Sequence, residues 1–121
     1  MKLENDLGQD VRDVLDHIKS LFNLKNVQYR TNDDDLANFT AGALLRYGKA
    51  DMPARFEVLK DYVLKHISKV YNGTLTDFKM DESILDIAVY FIIAAVMHKR
   101  MKEEEHAEAI SKNSQDFMMG V

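Results

Sequence analysis

The chain has no cysteine and no tryptophan, and only one proline and five glycines in 121 residues. Without cysteine there can be no disulfide, no thiolate nucleophile and no cysteine-ligated zinc. So little proline and glycine leaves small scope for long irregular segments. No apolar run reaches the roughly 20 residues a bilayer span requires. Positive charge is not in excess either. The net charge is −4 and the sequence pI about 5.5, so the basic footprint that binds duplex DNA is missing. Glycine-rich phosphate loops, a His-Glu-x-x-His metal motif and a Gly-x-Ser-x-Gly nucleophile elbow are absent, and so are the enzyme classes built on them. The N-terminal stretch is acidic and amphipathic and lacks a signal-peptide pattern. A cytoplasmic location is expected, with no membrane partner.

What is present is a soluble composition, 46% hydrophobic and 30% charged, and a length suited to one core. One all-α domain over residues 1–121 is expected, with four or five helices. Its landmark is the run Ile87-Ala88-Val89-Tyr90-Phe91-Ile92-Ile93-Ala94-Ala95-Val96-Met97, which holds no charge and no breaker. The run is long for a strand, and its alanines favour helix. A helix apolar all round belongs at the centre of a bundle or oligomer. The remaining helices are therefore expected to pack around residues 82–100, and the chain to form a homo-oligomer.

Leu7, Val11, Val14, Leu15, Ile18, Leu21 and Phe22 recur at helical spacing and predict a first helix that stops at Asn23–Lys25. Asp35 is expected to cap a second helix, with Leu36, Phe39, Ala43, Leu44 and Tyr47 inward and Gly48 closing it. Asp51-Met52-Pro53 signals the start of a third helix, with Phe56, Leu59, Val63, Leu64, Ile67 and Val70 inward and Asn72-Gly73 at its end. Asp81 is expected to cap the central helix. Beyond Met97 the pattern turns polar, either as the same helix leaving the core or as a further helix after a break. Residues 113–121 read as an irregular tail whose Phe117-Met118-Met119 docks on an apolar surface.

The chemistry rests on carboxylates. Glu82 and Asp86 are four apart and share one helix face, as do Glu57 and Asp61 on the third helix. Asp86 opens the driest segment of the chain and needs a cation, a metal or a hydrogen-bond donor there. The two acidic pairs together would make an oxygen-rich site for Mg²⁺. Read plainly, they are solvated i,i+4 pairs. Lys65, His66 and Lys69 lie on the third helix, Lys65 and Lys69 on one face, and suit binding phosphate or neutralising Asp86. Tyr90 and Tyr29 are candidates to stack on a base or to pack in the core.

Lys25-Asn26-Val27-Gln28-Tyr29, then Lys65 and Lys69, then Asn72-Gly73, then Glu82-Ser83 and Asp86-Ile87-Ala88-Val89-Tyr90 follow one another in order. The series resembles small phage and prophage proteins associated with nucleotide modification. These in turn are similar to the all-α nucleoside triphosphate pyrophosphatases of the MazG and dimeric dUTPase type. The resemblance spans Lys25 to Met97. It implies an all-α fold and a Mg²⁺-dependent pyrophosphohydrolase, in a host cytoplasm if the chain is phage-encoded. Glu82 and Asp86 would hold the metal, and Lys65 and Lys69 the phosphates. The chain departs from the pattern where Arg30 replaces Gly, where Val89 replaces Asn, and in lacking a Glu-Glu-x-x-Glu helix. The alternative is a non-catalytic helical module that binds or sequesters a nucleotide or a host protein.

Overall fold

The computed structural model describes residues 5–31 and 33–119, the side chains of 27–29 and 114–119 excepted. The described residues form four helices and no strand: α1 (Leu7–Tyr29), α2 (Ala37–Tyr47), α3 (Met52–Asn72) and α4 (Met80–Met119). The all-α expectation holds. Among these residues no helix is long and apolar enough to cross a membrane.

Short-range chemistry sets the helix ends. The Asp6 carboxylate accepts from the Gln9 N–H at 3.1 Å, and Asp51 accepts from the Ala54 N–H at 2.9 Å. Each satisfies a donor that the first turn leaves without a partner. Gly48 closes α2 in the left-handed region (φ 70°) and donates its N–H to the Leu44 carbonyl. Asp35 does not cap α2. The N-cap position is Leu36, and no side chain bonds the first turn there; Asp34 braces the entry instead, accepting from the Leu36 N–H at 2.9 Å and from the Thr40 hydroxyl. Asp81 lies within the first turn of α4 and not before it, since the helix begins at Met80.

Two helices outrun their expected ends. α1 passes through Asn23–Lys25 to Tyr29, because asparagine lowers helix propensity by well under 1 kcal/mol and does not break a helix. α4 takes in both the polar segment after Met97 and residues 113–119. No glycine or proline interrupts the chain from Met80 to Met119. The tail is therefore helical and not irregular as far as Met119, while the contacts of Phe117-Met118-Met119 lie outside the described side chains.

The core sits where α2, α3 and α4 meet. Leu36, Phe39 and Ala43 from α2's side, Ala54, Val58 and Leu59 from α3, and Met97 from α4 form one buried cluster. α2 approaches α3 closely at Gly42, where an added Cβ would stand 2.8 Å from a Val58 methyl. Fewer side chains are enclosed than the periodicity suggests. Leu44, Tyr47, Phe56 and Leu64 lie on the flanks of their helices, with Leu64 61% exposed. Ala54 and Val58 take the inner positions on α3. Among the described side chains α1 contributes one that is buried, Ile18, and leaves Leu7, Val11, Val14 and Leu15 exposed. α4 is not enclosed either. Val89 and Met97 are buried, but Phe91 and Ile92 are each 49% exposed. Three neighbouring helices cannot surround a fourth that is apolar on every face.

Candidate functional site

α1 packs sparsely and chiefly against α4, and its residues Phe22, Lys25 and Asn26 border a groove of about 820 Å³ that all four helices line. α4 forms one wall, presenting Asp86, Val89, Tyr90, Ile93 and Arg100 at intervals of one to two turns. α3 contributes Tyr62, Lys65 and His66 from consecutive turns. Phe22 and Lys25 of α1, with Phe39 of α2, complete the lining that matters chemically.

The aromatic wall is built by contact. Phe39 meets Tyr90 edge-on at 6.4 Å between centroids and lies 5.8 Å from Tyr62. His66 lies 6.1 Å from Tyr90. Such pairs fix ring positions and add about 0.5–1.5 kcal/mol each beyond area burial.

The charged groups are largely paired with one another. Lys25 Nζ lies 2.6 Å from one oxygen of Asp86, and His66 Nε2 lies 3.7 Å from the other. This is how the chain meets the demand of a carboxylate beside an apolar run. Its partners are Lys25 and His66, not Lys65 or Lys69. Burial pushes the His66 pKa below its ordinary value, against the pull of the Asp86 charge, with the Lys65, Lys25 and Lys69 charges acting in the same direction as burial. At the rim, Arg100 donates two hydrogen bonds to Asp35, at 2.9 and 2.8 Å. That bond holds the Asp35 carboxyl below the usual carboxylate range. Asp61 accepts from Arg46. Lys65 also lines the groove and has no ion-pair partner among the described residues.

Of the residues singled out in the sequence, Asp86, Lys65, Tyr90 and Asp61 reach this groove. Lys69 and Glu82 are exposed and do not line it. Glu57 stands outside it and pairs with Lys60 at 2.8 Å. The Tyr29 side chain lies outside the described residues. Among the described residues, no three His, Asp or Glu side chains gather where a metal could be held. Glu57, Asp61, Glu82 and Asp86 thus do not build a metal cage within one chain, and three of the four already face cations.

Sequence reasoning missed Lys25 and Arg100 as parts of the site, and read His66 only within the basic group of α3, beside Lys65 and Lys69. Lys25 carried a signal, as the first residue of the Lys-Asn segment on which the resemblance rests. His66 carried a weaker one, four residues after Tyr62 and so on the same face of α3. Comparison with protein-family models, with curated proteins and with solved structures gives no match in any of the three. The class of protein defined here is an all-helical chain with an amphipathic groove, and its chemistry is read from that groove.

Proposed function

We propose that the protein is a helical binding module whose groove takes a nucleotide-sized ligand of low charge. A flat ring would lie on the wall made by Phe39, Tyr62 and Tyr90, and a single phosphate would meet Lys65. The observation that carries this reading is the joining of an aromatic wall to Lys65, a cation with no ion-pair partner among the described residues, in a groove of about 820 Å³. That volume lies within the range of small-molecule sites, roughly 300–1,000 Å³.

Charge sets the ligand class. Lys25, Lys65 and Arg100 line the groove against Asp35, Asp61 and Asp86, three cations to three anions. A triphosphate would bring about four negative charges to a surface where, among the described residues, only Lys65 is outside an ion pair, and would have to break paired ones. A monophosphate needs no such exchange. Binding without turnover also agrees with carboxylates committed to Lys25, Arg46 and Lys60.

Thermal unfolding with nucleoside monophosphates and triphosphates, in Mg²⁺ and in chelator, tests the reading. A ligand at 100 times its Kd stabilises the native state by about 2.7 kcal/mol. Monophosphates are expected to raise the melting temperature without metal, and Lys65→Ala to abolish most of the rise. Absence of any shift refutes the reading. Mg²⁺-dependent release of pyrophosphate would replace it with the hydrolase.

A further inference from the structure

α4 carries a second surface that the groove does not use. At 100° per residue, Ile84, Ala88, Phe91 and Ala95 lie half a turn away from Asp86, Tyr90 and Ile93. Ile84 is 40% and Phe91 49% exposed, and Ala95 is exposed as well. The intervals of four, three and four residues are those of a helix-pairing seam. The seam continues with the same spacing to Asp81 at one end and to His98 and Lys102 at the other. All three are exposed. Asp81 has no ion-pair partner among the described residues, and Lys102 has only a loose contact with Glu105 at 3.8 Å.

We propose that this seam docks on the α4 seam of a second copy, with the two helices antiparallel and the two-fold axis beside Phe91. The charge pattern selects that occupant and that direction. Asp81 lies ten residues before Phe91 and Lys102 eleven after it; Ala88 lies three before and Ala95 four after. Turning one copy end for end therefore sets Asp81 of each chain opposite Lys102 of the other. The same turn sets Ala88 opposite Ala95, where small side chains allow the helices to come close around the paired Phe91 rings. A two-fold interface must be self-complementary in this way. A parallel pairing would instead set Asp81 against Asp81 and Lys102 against Lys102. Because the seam faces away from the groove, the pairing leaves the ligand site open and stands independently of its reading.

The absence of cysteine makes the test clean. Glu104→Cys introduces a single thiol at an exposed position with no ion pair among the described residues, and a nitroxide there reports the distance between copies. Glu104 is thirteen residues past Phe91, so at 1.5 Å rise per residue the antiparallel pair separates the labels by about 39 Å along the axis. Parallel helices, roughly 10 Å apart, would bring them within about 30 Å, because Glu104 lies on the side of α4 away from the seam. With the lateral separation of the helices added, a distance of about 40–50 Å is expected, together with sedimentation at twice 13.9 kDa. Phe91→Glu should return the chain to 13.9 kDa with unchanged helical circular dichroism, since that ring is half-exposed in the single chain. Asp81→Lys should weaken the dimer at least tenfold, and adding Lys102→Asp should restore it. A short label distance, a single-chain mass for the wild type at tens of micromolar, or failure of the double charge swap to restore assembly each overturns the proposal.

Discussion

Replacing Asp86 by Asn tests the electrostatic centre of the groove. The carboxylate is 18% exposed, and its partner Lys25, at 2.6 Å, is 40% exposed. Exposed ion pairs contribute about 0–1 kcal/mol, whereas breaking a buried pair costs about 3–5 kcal/mol. This pair falls between, because the freed ammonium can still turn to water. Asp86→Asn is therefore expected to lose about 1–2 kcal/mol, or roughly 4–8 °C in melting temperature for a chain of this length. Lys25→Met removes the other partner, and the double variant closes the cycle. A coupling of about 1–2 kcal/mol should appear in urea unfolding. His66 supplies a second readout. Asp86 raises its pKa and Lys25 lowers it, so Asp86→Asn should shift the His66 titration down and Lys25→Met should shift it up, as followed by NMR. Additive stabilities, or a His66 titration that moves in neither variant, would refute the reasoning. So would an Asp86→Asn protein more stable than the wild type.

The native pKa of His66 lies below its ordinary value of 6.5. Between those two values the unfolded chain holds more protons, so stability should be full above pH 6.5 and fall as pH drops through that window; His66→Phe should flatten the fall in a series of melts. Asp35 has the same sign at lower pH: held below 3.8 by Arg100, it contributes stability that is lost on acidification through its native pKa. Asp35→Asn should flatten the acid limb, as melts from pH 5 to 2 would show. Gly42→Ala gains about 1 kcal/mol of helix propensity, but its Cβ would stand 2.8 Å from a methyl of Val58, which is 1% exposed. Overpacking costs about 1–3 kcal/mol, so a net loss of about 1 kcal/mol is expected, and a variant of equal or higher melting temperature would show that α2 can move. Asp86→Asn also leaves Lys25 free and should tighten monophosphate binding in calorimetry.

Much of the fold was legible because it depends on neighbours in the chain. Asp6, Gly48, Asp51 and Pro53 end or begin helices through contacts within four residues, and helical spacing marked all four elements. The sequence also singled out Asp86, Lys65 and Tyr90, all three of which line the groove. It could not say what Asp86 would meet. Lys25 lies 61 residues away along the chain, and only the approach of α1 to α4 brings the two together. Periodicity likewise shows that a face is apolar and not that another helix is there to cover it. Leu64, Leu44 and most of the α1 stripe read as core and stand exposed, because enclosure depends on how many helices arrive at one place. Only the tertiary arrangement made that choice, closing α2, α3 and α4 on one another and leaving the groove on one side of α4 and the Phe91 seam on the other.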